Sequence, residues 1–321
     1  MKIIIIGGGI VGLAIARELN IKGYKDVNII EKESECAIHQ SSRNSGVMHA
    51  GLYYKPKSKK AALSRKGIKM MKEYCVKKNI NWDECGKVVV ATSKSELERL
   101  DDLYNNGSEN NLIGIKRINS KEVNKIEPYV QSLGGIHVPE ESIVNYKQVA
   151  KNYQEDILNF GSKINLDCKF DSAVEKNGKN YILIQDGREF EYDLVINASG
   201  LYTDKNSSKL GLEKSDAKII PFRGEYYLLK KEFRYLVNNL IYPVPDPNLP
   251  FLGVHLTRMI NGAVEAGPNA ILALAREGYN WKKINIGELY ESITYPGLTN
   301  FIRRYPLISL GELSRSLIKD I

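Results

Sequence analysis

The stretch RNSGVMHAGLYY, Arg43 to Tyr54, sets one of only four histidines among small residues and ahead of two tyrosines. The imidazole of His49 can take or give a proton near pH 7, and Tyr53 and Tyr54 carry hydroxyls suited to a carboxylate. The Asn44-Ser45-Gly46 step before it reads as a loop, not as the apolar face of a helix. A second histidine, His255, stands in FLGVHLT. Strand alternation there puts Phe251, Gly253, His255 and Thr257 on one face and Leu252, Val254 and Leu256 on the other. The second face is core; the first, with its glycine and polar residues, suits a pocket. Arg223 alternates with Glu225 and Tyr227 along FRGEYYLL and offers a bidentate fork to a carboxylate, with Arg258 a further candidate. Each has a plainer alternative: a histidine bonded to backbone, an Arg223–Glu225 pair, a tyrosine at Tyr226 or Tyr227 that only fills the core.

Such side chains act only where rigid elements hold them, and the first such elements stand at the N-terminus. Ile3–Ile6 is a short apolar β-branched run, as a parallel strand buried on both faces requires. Gly7-Gly8-Gly9-Ile10-Val11-Gly12 satisfies G-x-G-x-x-G, and Val11, Leu13, Ala14, Ile15, Ala16 and Leu19 then mark a helix. DVNIIEKE gives a second strand ending at Glu31, 19 positions after Gly12. Strand, glycine turn, helix and acid together describe a dinucleotide-binding unit. Gly7 permits the tight turn, Gly9 admits the pyrophosphate to the backbone, and Gly12 lets helix and strand pack. The helix start at Ile10 and Val11 offers N–H groups and a positive dipole end to phosphate. Glu31 accepts hydrogen bonds from a ribose 2′-OH and repels a 2′-phosphate. The same opening imitates a short signal peptide, but the downstream residues complete the strand–turn–helix pattern.

Further along, helices are expected over Ala61–Asn79, over SELERLDDLYNNG closed by Gly107, over KEVNKIEPYV and over QVAKNYQEDILNF. GKVVVATS and SKINLDC read as strands, Asp186-Gly187 as a hairpin turn, and Leu194–Asn197 as a buried strand ending in Ala198-Ser199-Gly200. In the second half GEYYLLK, LIYPVP, FLGVHLT and GAVEAGP are short strands divided by proline and glycine, the pattern of an antiparallel sheet. The chain of 321 residues carries a net charge of +8, but its lysines are scattered and no aromatic–basic motif accompanies them, which argues against nucleic acid. Cys36, Cys75, Cys85 and Cys168 show no zinc spacing, so no metal is expected and free thiols fit a reducing, cytoplasmic compartment. No apolar run approaches the roughly 20 residues that span a bilayer.

Together with this fingerprint, HQSSRNSGVMHAGLYYKP, DLVINASGLYTD, IIPFRGEYYLLK, IYPVPDPNLPFLGVHLT and AGPNAILALAREGY closely resemble the L-2-hydroxyglutarate dehydrogenase/oxidase family. That family lies in the D-amino-acid-oxidase-like FAD superfamily, and the resemblance runs over essentially the whole chain. It implies an α/β fold, with a Rossmann-type FAD-binding domain interleaved with a mainly antiparallel substrate domain. The boundaries expected are 1–80 and 146–210 for the first domain, 81–145 and 211–321 for the second. The implied reaction is oxidation of L-2-hydroxyglutarate, a small dicarboxylate, to 2-oxoglutarate, with electrons passed to oxygen or to a quinone. A quinone acceptor would bring peripheral attachment to the inner face of the cytoplasmic membrane. By this resemblance Ser42, Arg43, Asn44 and Ser45 carry the pyrophosphate and lead under the flavin, and Ala198, Ser199 and Gly200 form the second cofactor-contacting turn. His49 or His255 is the base, Arg223 holds a carboxylate with Tyr53, Tyr54, Tyr227 and Arg258, and Asn269 shapes the pocket floor. The family usually continues into a GVRAQ-like strand and a small-residue helix, and the expectation is that this segment is lacking here, where the sequence stops at SLIKDI. Two alternatives stay open: an FAD oxidase of another small 2-hydroxy or amino acid, and a truncated, non-catalytic fragment or binding protein.

Overall fold

The computed structural model describes residues 1–212, 217–248 and 253–317. Phe251 and Leu252, assigned above to opposite faces of a strand, lie outside the described residues. The chain divides into two compact units. One comprises Met1–Asn44, Tyr146–Arg223 and Leu272–Pro306; the other comprises Ser45–Asn145, Gly224–Ile271 and Leu307–Ile321.

The first unit is built on strand β1 (Ile3–Ile6), helix α1 (Ile10–Ile21) and strand β2 (Val27–Ile30). β1 pairs in parallel with Leu194–Asn197 on one side and with β2 on the other, and Lys163–Asn165 extends the sheet beyond β2. Alternation along β1 explains its unbroken isoleucine run. Ile3 and Ile5 pack with Leu13 and Ala16 of α1 and Ile157 of the helix Tyr146–Asn159. Ile4 and Ile6 pack on the opposite face against Phe170, Ile182 and Ile184. Those last residues belong to an antiparallel meander, Phe170–Lys176, Lys179–Ile184 and Glu189–Tyr192, which includes the expected hairpin. A strand covered on both faces has no room for a polar residue.

The second unit centres on a seven-stranded sheet in the order Phe222–Leu228, Val264–Leu272, His255–Arg258, Leu240–Pro243, Lys87–Ala91, Gly134–Val138, Lys116–Asn119. From Val264–Leu272 onward the pairings are antiparallel except that between Leu240–Pro243 and Lys87–Ala91, which is parallel. One face carries a core of Val88, Val90, Val123, Ile241 and Val264. The strand period puts Lys87, Tyr242 and His255 on the other face.

The expected boundaries shift in three places, the first domain's middle segment running on to Arg223 instead of residue 210. Residues 45–80 group with the second unit, because Val47–Met48 pairs with Ser142–Val144 there. Leu272–Pro306 groups with the first, where Ala273 donates its N–H to the Pro221 carbonyl. The helix expected to close at Gly107 runs on to Glu109, with Asn110 as its cap. A Cβ at Gly107 would stand 2.4 Å from Ile115 and 2.9 Å from Leu52, so this glycine serves close packing. No helix among the described residues is long and apolar enough to cross a membrane.

Candidate active site

In the first unit the strand ends open onto a cavity of about 610 Å³. Gly7, Gly9, Ile10, Val11, Glu31, Asn44, Ala198, Ser199 and Gly200 line it, as the fingerprint requires of a dinucleotide site. Gly7 has φ +110°, and a Cβ there would come 2.5 Å from the Ala198 carbonyl oxygen. Gly12 faces inward, where a Cβ would stand 2.0 Å from the Gly7 carbonyl oxygen, so the close helix–strand packing depends on it. Gly9 caps α1 without a side chain and leaves the helix start open to an anion. Glu31 is buried at the end of β2, where one carboxylate oxygen accepts the Gly8 N–H at 2.6 Å and the other the Glu33 N–H at 3.0 Å. A buried acid, a glycine cradle and a helix N-terminus are the donor and acceptor set that FAD's ribose and pyrophosphate need.

Three of the four residues expected to carry the pyrophosphate lie elsewhere. Ser42 donates to the Ala37 carbonyl at 2.5 Å, and the Arg43 guanidinium stacks 4.0 Å from the Tyr279 ring centre. Ser45 lines a cavity of the second unit. Ser41 instead reaches the helix start, accepting the Ile10 N–H at 2.9 Å. Lys32, Lys169, Lys205 and Lys209 also line the large cavity and give it a positive wall. Neither Ser41 nor the lysines carried a spacing signal. Glu33, His39 and Glu277 converge within 4.8 Å, but the Lys32 ammonium already pairs with Glu277 at 2.5 Å and with Glu33. Burial alone would lower Lys32, yet those two carboxylates raise it and keep it a cation.

The second unit holds a smaller cavity of about 280 Å³, lined by Ser45, His49, Gly51, Leu52, Tyr53, Tyr54, Glu141, Tyr226, Tyr242 and His255. Register explains the convergence. Val47 pairs with Ile143 and Met48 with Ser142, so the next step brings His49 opposite Glu141. The Gly86 N–H donates to the Glu141 carbonyl, which draws Lys87 to the same spot. Ile241 pairs with Leu256, so Tyr242 comes opposite His255, and their rings stack at 4.1 Å.

Beneath the cavity floor lies an ion pair. Lys87 and Glu141 are both fully buried, with Nζ 2.9 Å from Oε1. His49 Nδ1 is 3.2 Å from Lys87 Nζ and 3.4 Å from Glu141 Oε2, and its side chain is 39% exposed. Burial alone would raise Glu141, but the Lys87 ammonium and His49 hold it down to about 2. Burial lowers His255, an effect its bond to the Gly253 carbonyl offsets only in part, so its imidazole is neutral near pH 7. Burial pushes the Tyr53 phenol well above its usual range, and its hydroxyl has no hydrogen-bond partner among the described residues.

The cations expected to hold a carboxylate lie outside this cavity. Arg223 is buried with its guanidinium 4.4 Å from the Trp281 ring centre. Arg258 pairs with Asp83 at 2.9 Å. Tyr227 is exposed, and its neighbour Tyr226 lines the cavity beside His255. The strand alternates as expected, but the pocket lies on the other face. Asn269 is buried and donates to the Glu312 carbonyl at 2.9 Å. Lys87, Glu141 and Tyr242 were not anticipated.

The profile of the FAD dependent oxidoreductase family matches residues 2–300. An L-2-hydroxyglutarate dehydrogenase of Indibacter alkaliphilus is 47% identical over 99% of this chain and 80% of its own length. The mitochondrial L-2-hydroxyglutarate dehydrogenase of Mus musculus is 40% identical over 97% of this chain and 69% of its own. Among solved structures, FAD-bound L-α-glycerophosphate oxidase from Mycoplasma pneumoniae superposes with a TM-score of 0.79 at 23% identity, covering 92% of this chain and 78% of that one. Glycine oxidase from Geobacillus kaustophilus gives 0.72 at 17% identity, over 93% and 79%. These two likenesses extend to the fold.

Proposed function

The chain belongs to the FAD dependent oxidoreductase family, and from that premise we propose that it oxidises L-2-hydroxyglutarate to 2-oxoglutarate. The observation that carries the reading is the pairing of a fitted dinucleotide cavity with a separate small cavity walled by two histidines and four tyrosines. Relatives at 40–47% identity, named for this activity, support the same substrate.

FAD, when bound, accepts the hydride that leaves C2 of the substrate. The residues of this chain do the rest. His49, the more exposed histidine, takes the hydroxyl proton as C2 gives up its hydride. His255, neutral and stacked on Tyr242, spends its Nδ1–H on the Gly253 carbonyl and keeps Nε2 as an acceptor. Tyr53, Tyr54 and Tyr226 hold their protons and donate to the carboxylates, a task expected of Tyr53 and Tyr54 together with Arg223, Tyr227 and Arg258. A buried Tyr53 hydroxyl without a partner among the described residues leaves a donor whose bond a substrate oxygen can complete. Electrons leave to a quinone or to oxygen; turnover in air against turnover with a soluble quinone under nitrogen separates these acceptors. A quinone would draw the protein to the inner face of the cytoplasmic membrane.

A turnover screen with an artificial acceptor tests the substrate. L-2-Hydroxyglutarate is expected to react, with the D isomer, glycine, D-amino acids and glycerol phosphate inert. Turnover confined to glycine or D-amino acids would overturn the reading.

A further inference from the structure

The reaction just described uses neither Lys87 nor Glu141, yet two fully buried charges are expensive to keep unless they act. Both meet one ring nitrogen of His49, Nδ1, and they make opposite demands on it. A protonated Nδ1 donates to Glu141 Oε2; a bare Nδ1 accepts from Lys87. The first arrangement leaves Nε2 with a lone pair, a base. The second leaves Nε2–H, a donor that cannot accept the substrate proton.

Satisfaction of the buried groups decides between them. Lys87 has Glu141 Oε1 at 2.9 Å, and its ammonium also lies 4.5 Å from the Tyr242 ring centre and 5.3 Å from that of Tyr53. Among the described residues neither carboxylate oxygen of Glu141 accepts a hydrogen bond, and His49 Nδ1, at 3.4 Å, is placed to supply one to Oε2. A bare Nδ1 would strand a buried carboxylate oxygen, whereas a protonated Nδ1 leaves the Lys87 protons facing rings. We propose that Glu141 is a positioning residue that accepts the Nδ1–H of His49 and so fixes Nε2 as the basic nitrogen, while Lys87 cancels the carboxylate's charge. This rests on the reading of His49 as the base. As the alcohol is oxidised, the O–H proton moves to Nε2 and the C2–H electron pair leaves as hydride to FAD. The new imidazolium is held by Glu141.

The remaining groups around His49 stay neutral through this step. Tyr53 and Tyr54 from its own segment, Tyr226 and Tyr242 from the sheet are all pushed up by burial, and His255 is pushed down. Lys87 and Glu141 therefore set the field that the ring feels.

Nitrogen-15 NMR of the histidine-labelled full chain, with His49 assigned through loss of its signals in His49→Gln, reads the tautomer directly. The neutral ring is expected with its proton on Nδ1. In Glu141→Gln, Lys87 takes the amide oxygen and turns the NH2 toward Nδ1, so the proton is expected to move to Nε2. Glu141→Asp, which keeps the carboxylate, is expected to keep the Nδ1–H form. In parallel, kcat/KM falls by about 100-fold in Glu141→Gln, and the acid limb of its pH profile moves down, because the imidazolium loses its anion and keeps its cation. In Lys87→Met the limb moves up, because the anion remains alone. A role confined to folding would lower activity and leave both limbs in place. A wild-type ring protonated on Nε2 overturns the proposal, as does a tautomer or pH limb unmoved by Glu141→Gln. The wild-type spectrum needs no variant to fold, and no substrate. Turnover on L-2-hydroxyglutarate with an Nε2–H ring refutes this proposal alone; an Nδ1–H ring without turnover refutes the substrate reading alone.

Discussion

Two histidines share one small cavity, but their surroundings assign them different work. His49 is in touch with a buried anion and 39% exposed, which suits the proton transfer proposed for it. His255 is buried, stacked on Tyr242 and held neutral, which suits a hydrogen-bonding partner. Accordingly His49→Gln is expected to lower kcat by about 10²- to 10⁴-fold, the usual worth of a general base. His255→Gln is expected to act mainly on KM, by about tenfold, the loss of one substrate hydrogen bond. Steady-state kinetics of the two variants check this, and a larger kcat loss at His255 would reverse the assignment. The histidines were visible in the sequence because the type is rare and the surrounding residues are small. Lys87 and Glu141 were not. A lysine opening GKVVVATS reads as a strand edge and a glutamate in VPEES reads as a turn; only the pairing of Met48 with Ser142 brings them together. Tyr227 was preferred to Tyr226 because alternation names two faces without saying which one meets the cavity.

At the scale of elements, the turn from β1 into α1 was the most legible part, since each glycine answers a distance. Gly7→Ala must place a side chain at φ +110° and 2.5 Å from the Ala198 oxygen. Backbone strain of this kind costs about 1–2 kcal/mol, roughly tenfold in affinity where it falls on the bound state. FAD titration followed by fluorescence is expected to show at least that loss, and unchanged affinity would sink the assignment. A less visible element tie joins two of the motifs behind the family resemblance. Arg276, from ALAREGY, forks onto Asp204, from GLYTD, at 2.5 and 2.8 Å, with side-chain exposures of 5% and 14%. Asp204 also accepts the N–H of Ile219 at 3.1 Å. Removing one partner of a buried pair strands the other, so Asp204→Asn is expected to cost about 3 kcal/mol in urea unfolding. A change below about 1 kcal/mol would class the pair with ordinary surface bridges.

For the whole molecule, the sequence conveyed the fold class and the interleaving of the two units, because parallel-type strands near residues 5 and 195 bracket a different pattern between them. It did not convey the boundaries near residues 45 and 272, which depend on strand partners far away in the chain. It named the glycine turn and the strand ends that line the large cavity but not Ser41 or the four lysines, and the small cavity only in part, since the first follow from local turns and the rest from long-range register. On the proposed function this chain passes a hydride from L-2-hydroxyglutarate to FAD. The most direct test is an anaerobic visible spectrum of the FAD-supplied protein before and after substrate. The flavin band is expected to bleach with L-2-hydroxyglutarate and to persist with the D isomer. A bound flavin that L-2-hydroxyglutarate leaves oxidised would contradict the account.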